Sequence, residues 1–374
     1  MKKLKIAIFL PTLEVGGAEK SAVHLANAFV KRGFIVDLLV VNAATKPQAA
    51  DISEMVNLID FGKTHVILSM LQLISYLRNK RPDFLLGIMD HSNVVALLAN
   101  FFAVRNATRI IITAHAHSSS RSDYAYNIKS KIVLLLAKYL YRKACAMVAV
   151  SHSVANQVVR LLKLPNSFVR VIYNPFDREK ISDLANKKLE YSCFPNNLDG
   201  NKLILAVGRL EAVKDFATLI KAFAILVQTM SETCLIILGE GSLRDDLQLL
   251  ISHLNLNDKV FLLGYSNNPY YFMKRCDLFV LSSLSESFSY VLLEALFLAP
   301  RVIATDCPGG VREILNNGGY GKLVRTRDHE ALAHTMIALL HEAPIEVEPT
   351  FFDRFDEQTI VDQYLRIFCE FNCG

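Results

Sequence analysis

The chain has 374 residues, more than the roughly 250 at which a single hydrophobic core stops growing, so two domains are expected. Hydrophobic residues make up 52% and charged residues 21%, with no low-complexity tract, which excludes an extensively disordered chain. The net charge of +5 is spread along the chain without an RNA-recognition, helix-turn-helix or zinc-finger pattern, so nucleic acid is not an expected partner.

Residues 4–10 form a short apolar run behind Met1-Lys2-Lys3 that ends at Pro11, too short for the apolar region of a signal peptide and well sized for a buried strand. The longest apolar window, 94–104, is interrupted by Asn100 and falls short of the roughly 20 residues a spanning helix needs. Seven cysteines without a C-x-x-C pair sit mostly in apolar stretches, which points to reduced core residues and a cytoplasmic protein.

Short apolar runs alternate with amphipathic stretches throughout, the pattern of parallel sheets covered by helices. Strands are predicted at 4–10, 35–41, 84–88, 109–113, 146–150 and 169–172, and the clearest helices at 18–31 and 129–142. Turn-forming residues from Asn174 to Asn201 break the alternation and read as an interdomain connection. Strands resume at 202–207, 234–238, 260–263, 278–281 and 301–304. Beyond a break at Pro344 to Pro349, residues 356–371 read as an amphipathic helix placed to cross back to the first domain. The expected fold is α/β, with two Rossmann-like doubly wound domains: residues 1–173 with 356–374, and residues 174–355.

Open parallel sheets bind ligands beyond the carboxyl ends of their strands, and four such places carry polar chemistry. Pro11 to Glu19 contains Gly16-Gly17 between the first strand and first helix. This reads either as an ordinary tight turn or as a loop that lets a phosphate approach a helix N-terminus. It lacks the G-x-G-x-x-G spacing of an NAD site. Gly208 to Lys214 follows the first strand of the second domain and is read as opening a helix. Arg209 and Lys214 there oppose the helix dipole, which favours an anion between them over a solvated surface pair.

Glu286 and Glu294 lie eight positions apart, the second on a helix that begins near Ser289. At 1.5 Å per residue they are about 10 Å apart, comparable to the hexose-to-ribose distance in a nucleotide sugar. His115 and His117 close a strand of the first domain. Such a histidine can bond a sugar hydroxyl or a phosphate, and for His117 a structural role is as good a reading.

Taken in order, these motifs resemble the retaining glycosyltransferases of family 4, which have the GT-B fold of two such domains facing across a cleft. The resemblance spans nearly the whole chain. It includes Gly16 to Glu19, His115, Tyr173-Asn174-Pro175-Phe176-Asp177, Gly208-Arg209 with Lys214, Gly239-Glu240-Gly241-Ser242-Leu243, Leu263-Gly264, Glu286 with Glu294, and the run from Ile303 through Gly309-Gly310 to Ile314.

The resemblance implies that the first domain binds the acceptor and the second a nucleotide sugar. Gly16 and Gly17 would approach the donor while Arg209 and Lys214 hold its diphosphate. Glu294 would bind the ribose, Glu286 with the backbone of Phe288, Ser289 and Tyr290 the transferred sugar, and Gly264 and Tyr265 the base. His115 would contact the sugar or support its departure. The implied donor is a UDP-sugar carrying a hexosyl or N-acetylhexosaminyl group. The implied acceptor is a cell-surface polysaccharide, lipopolysaccharide or lipid-linked glycan.

No cofactor is implied, and the chain has no D-x-D motif for a metal. Ser287 and Ser289 stand where glycine is frequent in the family, and Ser289 is read as acceptable because helix N-termini welcome serine. Ala299-Pro300-Arg301 replaces the usual Gly-x-Pro-Val. The alternatives are a non-catalytic partner subunit, or a sugar-nucleotide epimerase or phosphorylase on the same architecture. A basic amphipathic helix at 128–144, with Lys131, Lys138 and Arg142 opposite Ile132, Leu135, Leu136, Tyr139 and Leu140, is a candidate for peripheral contact with an anionic membrane. The other reading of this helix is core packing with a solvated basic face.

Overall fold

The computed structural model describes residues 3–14, 16–43, 51–103, 108–115, 137–187 and 200–372, and the chain divides into two compact units. Unit 1 is Met1–Phe176 with Phe352–Gly374, and unit 2 is Asp177–Phe351. No helix among the described residues is long and apolar enough to cross a membrane.

Unit 1 runs β1 (Lys5–Thr12), α1 (Gly17–Lys31), β2 (Ile35–Asn42), β3 (Asn57–Asp60), α2 (Met70–Lys80), β4 (Phe84–Gly87), α3 (Asp90–Phe102), β5 (Arg109–Ala114), β6 (Ala146–Ala149), α4 (His152–Leu162) and β7 (Val169–Val171). The seven strands form a parallel sheet in the order β3-β2-β1-β4-β5-β6-β7. Ile6 through Leu10 are wholly buried, as the continuous apolar run requires of a strand covered on both faces. Edge strand β3 was not legible in the sequence because its four residues are exposed or half-buried and carry no apolar alternation.

Unit 2 contains α5 (Arg178–Asn186), β8 (Lys202–Val207), α6 (Phe216–Thr229), β9 (Thr233–Leu238), α7 (Arg244–His253), β10 (Val260–Gly264), α8 (Tyr270–Met273), β11 (Leu278–Leu281), α9 (Tyr290–Leu298), β12 (Val302–Thr305), α10 (Val311–Ile314), β13 (Lys322–Val324) and α11 (His329–His341). Its parallel sheet has the order β10-β9-β8-β11-β12-β13. The stretch read as a connection between domains starts as a helix: the Asp177 carboxylate caps α5 by accepting from the Lys180 N–H (2.9 Å), and Ile181 and Ala185 are buried.

The chain re-enters unit 1 beside the point where it leaves. The Phe176 N–H donates to the Phe355 carbonyl at 2.8 Å, and the Phe176 and Phe352 rings stack at 6.1 Å. From there α12 (Glu357–Asn372) packs against α1 and the sheet. Ile360, Val361, Tyr364, Ile367 and Phe368 are all buried in the core of unit 1, and Phe368 stacks on Phe84 of β4 with centroids 4.3 Å apart. Removing a buried phenylalanine of this kind costs about 3–5 kcal/mol. The surface pairs Lys31–Glu357 (2.6 Å) and Arg170–Glu370 (3.2 Å) add little, at most about 1 kcal/mol each.

Of the stretch predicted as a basic helix at 128–144, residues 128–136 lie outside the described residues, as does His117. In the remainder, Lys138, Tyr139 and Arg142 are exposed and Tyr141 is buried, its hydroxyl donating to the Asp90 carboxylate at 2.9 Å. Cys234, Cys276 and Cys307 are buried, and burial raises the Cys234 thiol to about 11 and the Cys307 thiol to about 12.

Candidate active site

In unit 2 the strand order reverses between β8 and β11, which are neighbours in the sheet although three strands apart in sequence. Loops leaving such a pair diverge to opposite faces of the sheet and open a crevice. The loop after β8 carries Lys214 and the loop after β11 carries Glu286. The Lys214 Nζ lies 2.5 Å from the Glu286 Oε1, with the lysine side chain 17% and the glutamate 9% exposed. The Ser283 hydroxyl donates to the same carboxylate oxygen at 2.7 Å, and the Ser282 hydroxyl to the Lys214 carbonyl at 2.7 Å. The anion that the basic loop required is therefore, in part, the chain's own Glu286.

Two details differ from the sequence reading. Lys214 does not open the helix. It ends a short 3-10 turn, Ala212–Lys214, and Asp215 (φ 47°) intervenes before α6. Ser289 does not cap α9 in the ordinary way. A capping serine has an extended backbone and accepts a hydrogen bond from the first turn. Ser289 instead has φ 74° and ψ 76°, makes no cap bond, and keeps a buried Oγ with no hydrogen-bond partner among the described residues. The preference for glycine at this position follows from that backbone.

The loops at the carboxyl edge are laced together by main-chain bonds. The Gly208 N–H donates to the Leu238 carbonyl (2.9 Å), Gly239 to Gly264 (2.8 Å), Leu284 to Val213 (2.8 Å), Glu286 to Pro308 (3.0 Å) and Gly310 to Ser287 (3.0 Å). Glycine is obligatory at two of the crossings. A Cβ on Gly239 (φ 146°) would stand 1.8 Å from the Gly208 carbonyl oxygen, and one on Gly309 (φ 127°) would stand 1.6 Å from that of Glu286. Gly309 and Gly310 thus seat the Glu286 loop, a role the sequence did not disclose.

Glu294 is 4% exposed on α9 and accepts from the Tyr270 hydroxyl at 3.3 Å. Phe288 is buried, edge-on to Tyr290 at 5.6 Å. Gly264 ends β10 with φ 80°, Tyr265 beyond it is 53% exposed, and Arg209 is exposed. Unit 2 therefore brings Lys214 and Glu286 into contact and mounts Phe288, Ser289, Tyr290 and Glu294 on one segment. Ser282, Ser283 and Tyr270 were missed in the sequence. The two serines could have been found from their place directly after β11.

In unit 1, Gly16 stands at the start of α1, which Gly17 opens. A Cβ on Gly16 would meet the Glu19 carboxylate at 2.2 Å, so this glycine makes room for an acidic side chain in the first turn. His115 follows β5 directly. Burial pushes its pKa down to about 4 against an opposing pull from the Asp90 carboxylate, so the imidazole is neutral at pH 7. The preceding strand end is tied by Asn93, whose amide donates to the Thr113 carbonyl at 2.9 Å, and by the Thr113 hydroxyl, which donates to the Gly87 carbonyl at 2.8 Å.

Residues 15–180 match the family model described as Glycosyltransferase Family 4, and residues 192–349 the model described as Glycosyl transferases group 1. The chain is 30% identical over 347 residues, 90% of each chain, to a Campylobacter jejuni N-acetylgalactosamine-N,N'-diacetylbacillosaminyl-diphospho-undecaprenol 4-alpha-N-acetylgalactosaminyltransferase. It is 28% identical over 241 residues to the N-acetyl-alpha-D-glucosaminyl L-malate synthase of Bacillus anthracis, covering 62% of this chain and 61% of the relative. Among solved structures, Anabaena HepE in complex with UDP and glucose superposes with a TM-score of 0.81 at 21% identity, over 98% of this chain and 100% of the other.

Proposed function

The chain belongs to glycosyltransferase family 4, and from that premise we propose that it is a retaining, metal-independent transferase that moves a hexosyl or N-acetylhexosaminyl group from a UDP-sugar to a lipid-linked or cell-surface glycan. The observation that carries the reading is the Lys214–Glu286 contact at the β8/β11 switch point. Breaking a glycosidic bond to a diphosphate builds negative charge on the leaving oxygens and positive charge on the ring. An ammonium and a carboxylate held side by side offer each developing charge its opposite, prearranged in a half-buried site. The ammonium has three N–H donors, so it can keep Glu286 and still donate to a phosphate oxygen.

Helix α9, which has no side-chain cap, brings the positive end of its dipole to the same segment. Glu294, buried beside Tyr270, is suited to hold two neighbouring ribose hydroxyls. Neutral His115 can accept from a sugar hydroxyl or donate to one without adding charge. The UDP-sugar donor is supported by the UDP and glucose in the Anabaena structure, and the lipid-linked acceptor by the diphospho-undecaprenol substrate in the Campylobacter relative's name.

The test is release of UDP from a panel of UDP-sugars, with and without undecaprenyl-diphosphate-linked acceptors, in EDTA, followed by NMR of the new anomeric centre. Acceptor-stimulated release with a retained α configuration supports the proposal. Inversion, or activity that EDTA abolishes and Mg²⁺ or Mn²⁺ restores, overturns it.

A further inference from the structure

Two serines follow β11 directly, and each is hydrogen-bonded to one half of the ion pair. The four residues of β11 are apolar and buried, as a strand covered on both faces requires, and Ser282 and Ser283 continue the chain at 1% and 0% exposure. Ser282 donates to the Lys214 carbonyl and Ser283 to the Glu286 Oε1, both at 2.7 Å. Packing alone would be served by apolar side chains there, with no polar group to satisfy.

Of the two groups that hold the Glu286 carboxylate, Ser283 is the rigid one. The Lys214 ammonium is a compact charge on a flexible four-carbon stem, and in the proposed reaction it has a diphosphate to meet as well. The serine hydroxyl sits on one short bond, and the main chain that carries it is fixed from the neighbouring strand. At the end of β12 the Thr305 hydroxyl donates to the Ser283 carbonyl at 2.5 Å and lies 3.3 Å from the Leu281 carbonyl. Thr305 is itself 1% exposed.

Both bonds fall on one carboxylate oxygen. Oε1 takes the ammonium at 2.5 Å and the serine at 2.7 Å, which uses both of its lone pairs, while Oε2 has no hydrogen-bond partner among the described residues. Held by the lysine alone, the carboxylate could swivel about its last bond. Two donors that reach Oε1 from different loops fix its plane, and with it the direction in which Oε2 points.

We propose that Ser283, anchored by Thr305, is a positioning residue for the transfer reaction. It holds the Glu286 carboxylate through Oε1, so that Oε2 is presented to the transferred sugar while Lys214 turns to the leaving diphosphate. The inference rests on the transfer proposed above, and the first arm of its test needs no substrate.

Crystal structures of the wild type and of Ser283→Ala read the positioning directly. The Glu286 carboxylate is expected in one orientation in the wild type and rotated, or spread over several orientations, in the variant. A carboxylate that stays in place overturns the proposal, whatever the donor. Kinetics form the second arm. Ser283→Ala is expected to lower kcat about tenfold, with the donor KM within about twofold and the melting temperature near that of wild type. Ser283→Cys, close in shape but a weak donor, should fall with it. In a Glu286→Ala chain the further change Ser283→Ala should cost nothing, because the serine acts only through the carboxylate. Wild-type kcat in Ser283→Ala, recovery by Ser283→Cys, or losses that multiply in the double variant each overturn the proposal. A wild type that releases UDP from no UDP-sugar refutes the donor reading instead, and the structural arm then decides this one.

Discussion

In each unit the helix that follows the strand beside the switch point starts from a residue with a positive φ: Met89 before α3 (φ 73°) and Ser289 before α9 (φ 74°). Because β4 pairs with β1 as β11 pairs with β8, the two residues are topological equivalents. The neighbourhoods differ. Around Met89 the strand ends are tied by the Asn93 amide and the Thr113 hydroxyl, and the histidine is kept neutral. Around Ser289 the loops are tied main chain to main chain, and an ion pair sits among them. The doubly wound architecture thus sets where backbone strain is stored, and the side chains beside it set what the place can do.

The largest effect is expected where the difference is greatest, at the glycines. Gly309→Ala drives a Cβ into the backbone of Glu286 at a φ that alanine avoids, so kcat/KM should fall roughly 10³-fold with a clear loss of thermal stability. Gly16→Ala meets only the movable end of the Glu19 side chain, and its melting temperature should stay near that of wild type. Equal damage at the two sites would erase the distinction between a main-chain lattice and a side-chain fit.

The ion pair comes next. Glu286→Gln and Lys214→Ala should each lower kcat by about 10²-fold, and the double variant by much less than the product, because the first loss already leaves the partner uncompensated. Glu294→Gln should act mainly on the donor KM. Steady-state kinetics with the true donor separates the three, and strictly multiplicative effects would show that the contact is idle in turnover.

His115 supplies the pH test of unit 1. Unfolded, the imidazole takes its proton near pH 6.5; folded, it resists until about pH 4. Between those values the unfolded state binds more protons, so this contribution is complete above pH 6.5 and is lost as pH falls towards 4. Thermal melts across that window should show a shallower acid loss in His115→Gln, and identical slopes would place the histidine in water.

The smallest effect is a gain. Ser289→Gly removes a strained φ and an unsatisfied buried hydroxyl, so it should stabilise by about 1 kcal/mol, or about 2–4 °C. Met89→Gly relieves similar strain but gives up the packing of a partly buried side chain against the core, so it should gain nothing.

Much of the molecule was legible in the sequence. The central strands announce themselves because both faces are covered, as Ile6 to Leu10 and Leu203 to Ala206 show. The edge strands β3 and β13 did not, being short and partly exposed. Helix α5 was hidden in a run of turn-forming residues, although Asp177 three places before Lys180 was a cap signal.

At the site, residue types and strand ends pointed to Lys214 and Glu286. Their pairing across 72 positions is a product of the sheet order, which local pattern does not encode. The backbone of Ser289 was equally beyond reach, since a serine before a helix normally signals an extended cap.

The helix α12 has a consequence for how the molecule is made. The first segment of unit 1 precedes unit 2 in the chain, yet the core of unit 1 lacks Tyr364, Ile367 and Phe368 until all of unit 2 has been made. Unit 2, continuous from Asp177 to Phe351, has every part it needs before then. The usual amino-to-carboxyl order of completion is therefore reversed. Until α12 is made, Phe29 and Phe84 wait with an uncovered side, the kind of exposed apolar surface that invites misassembly.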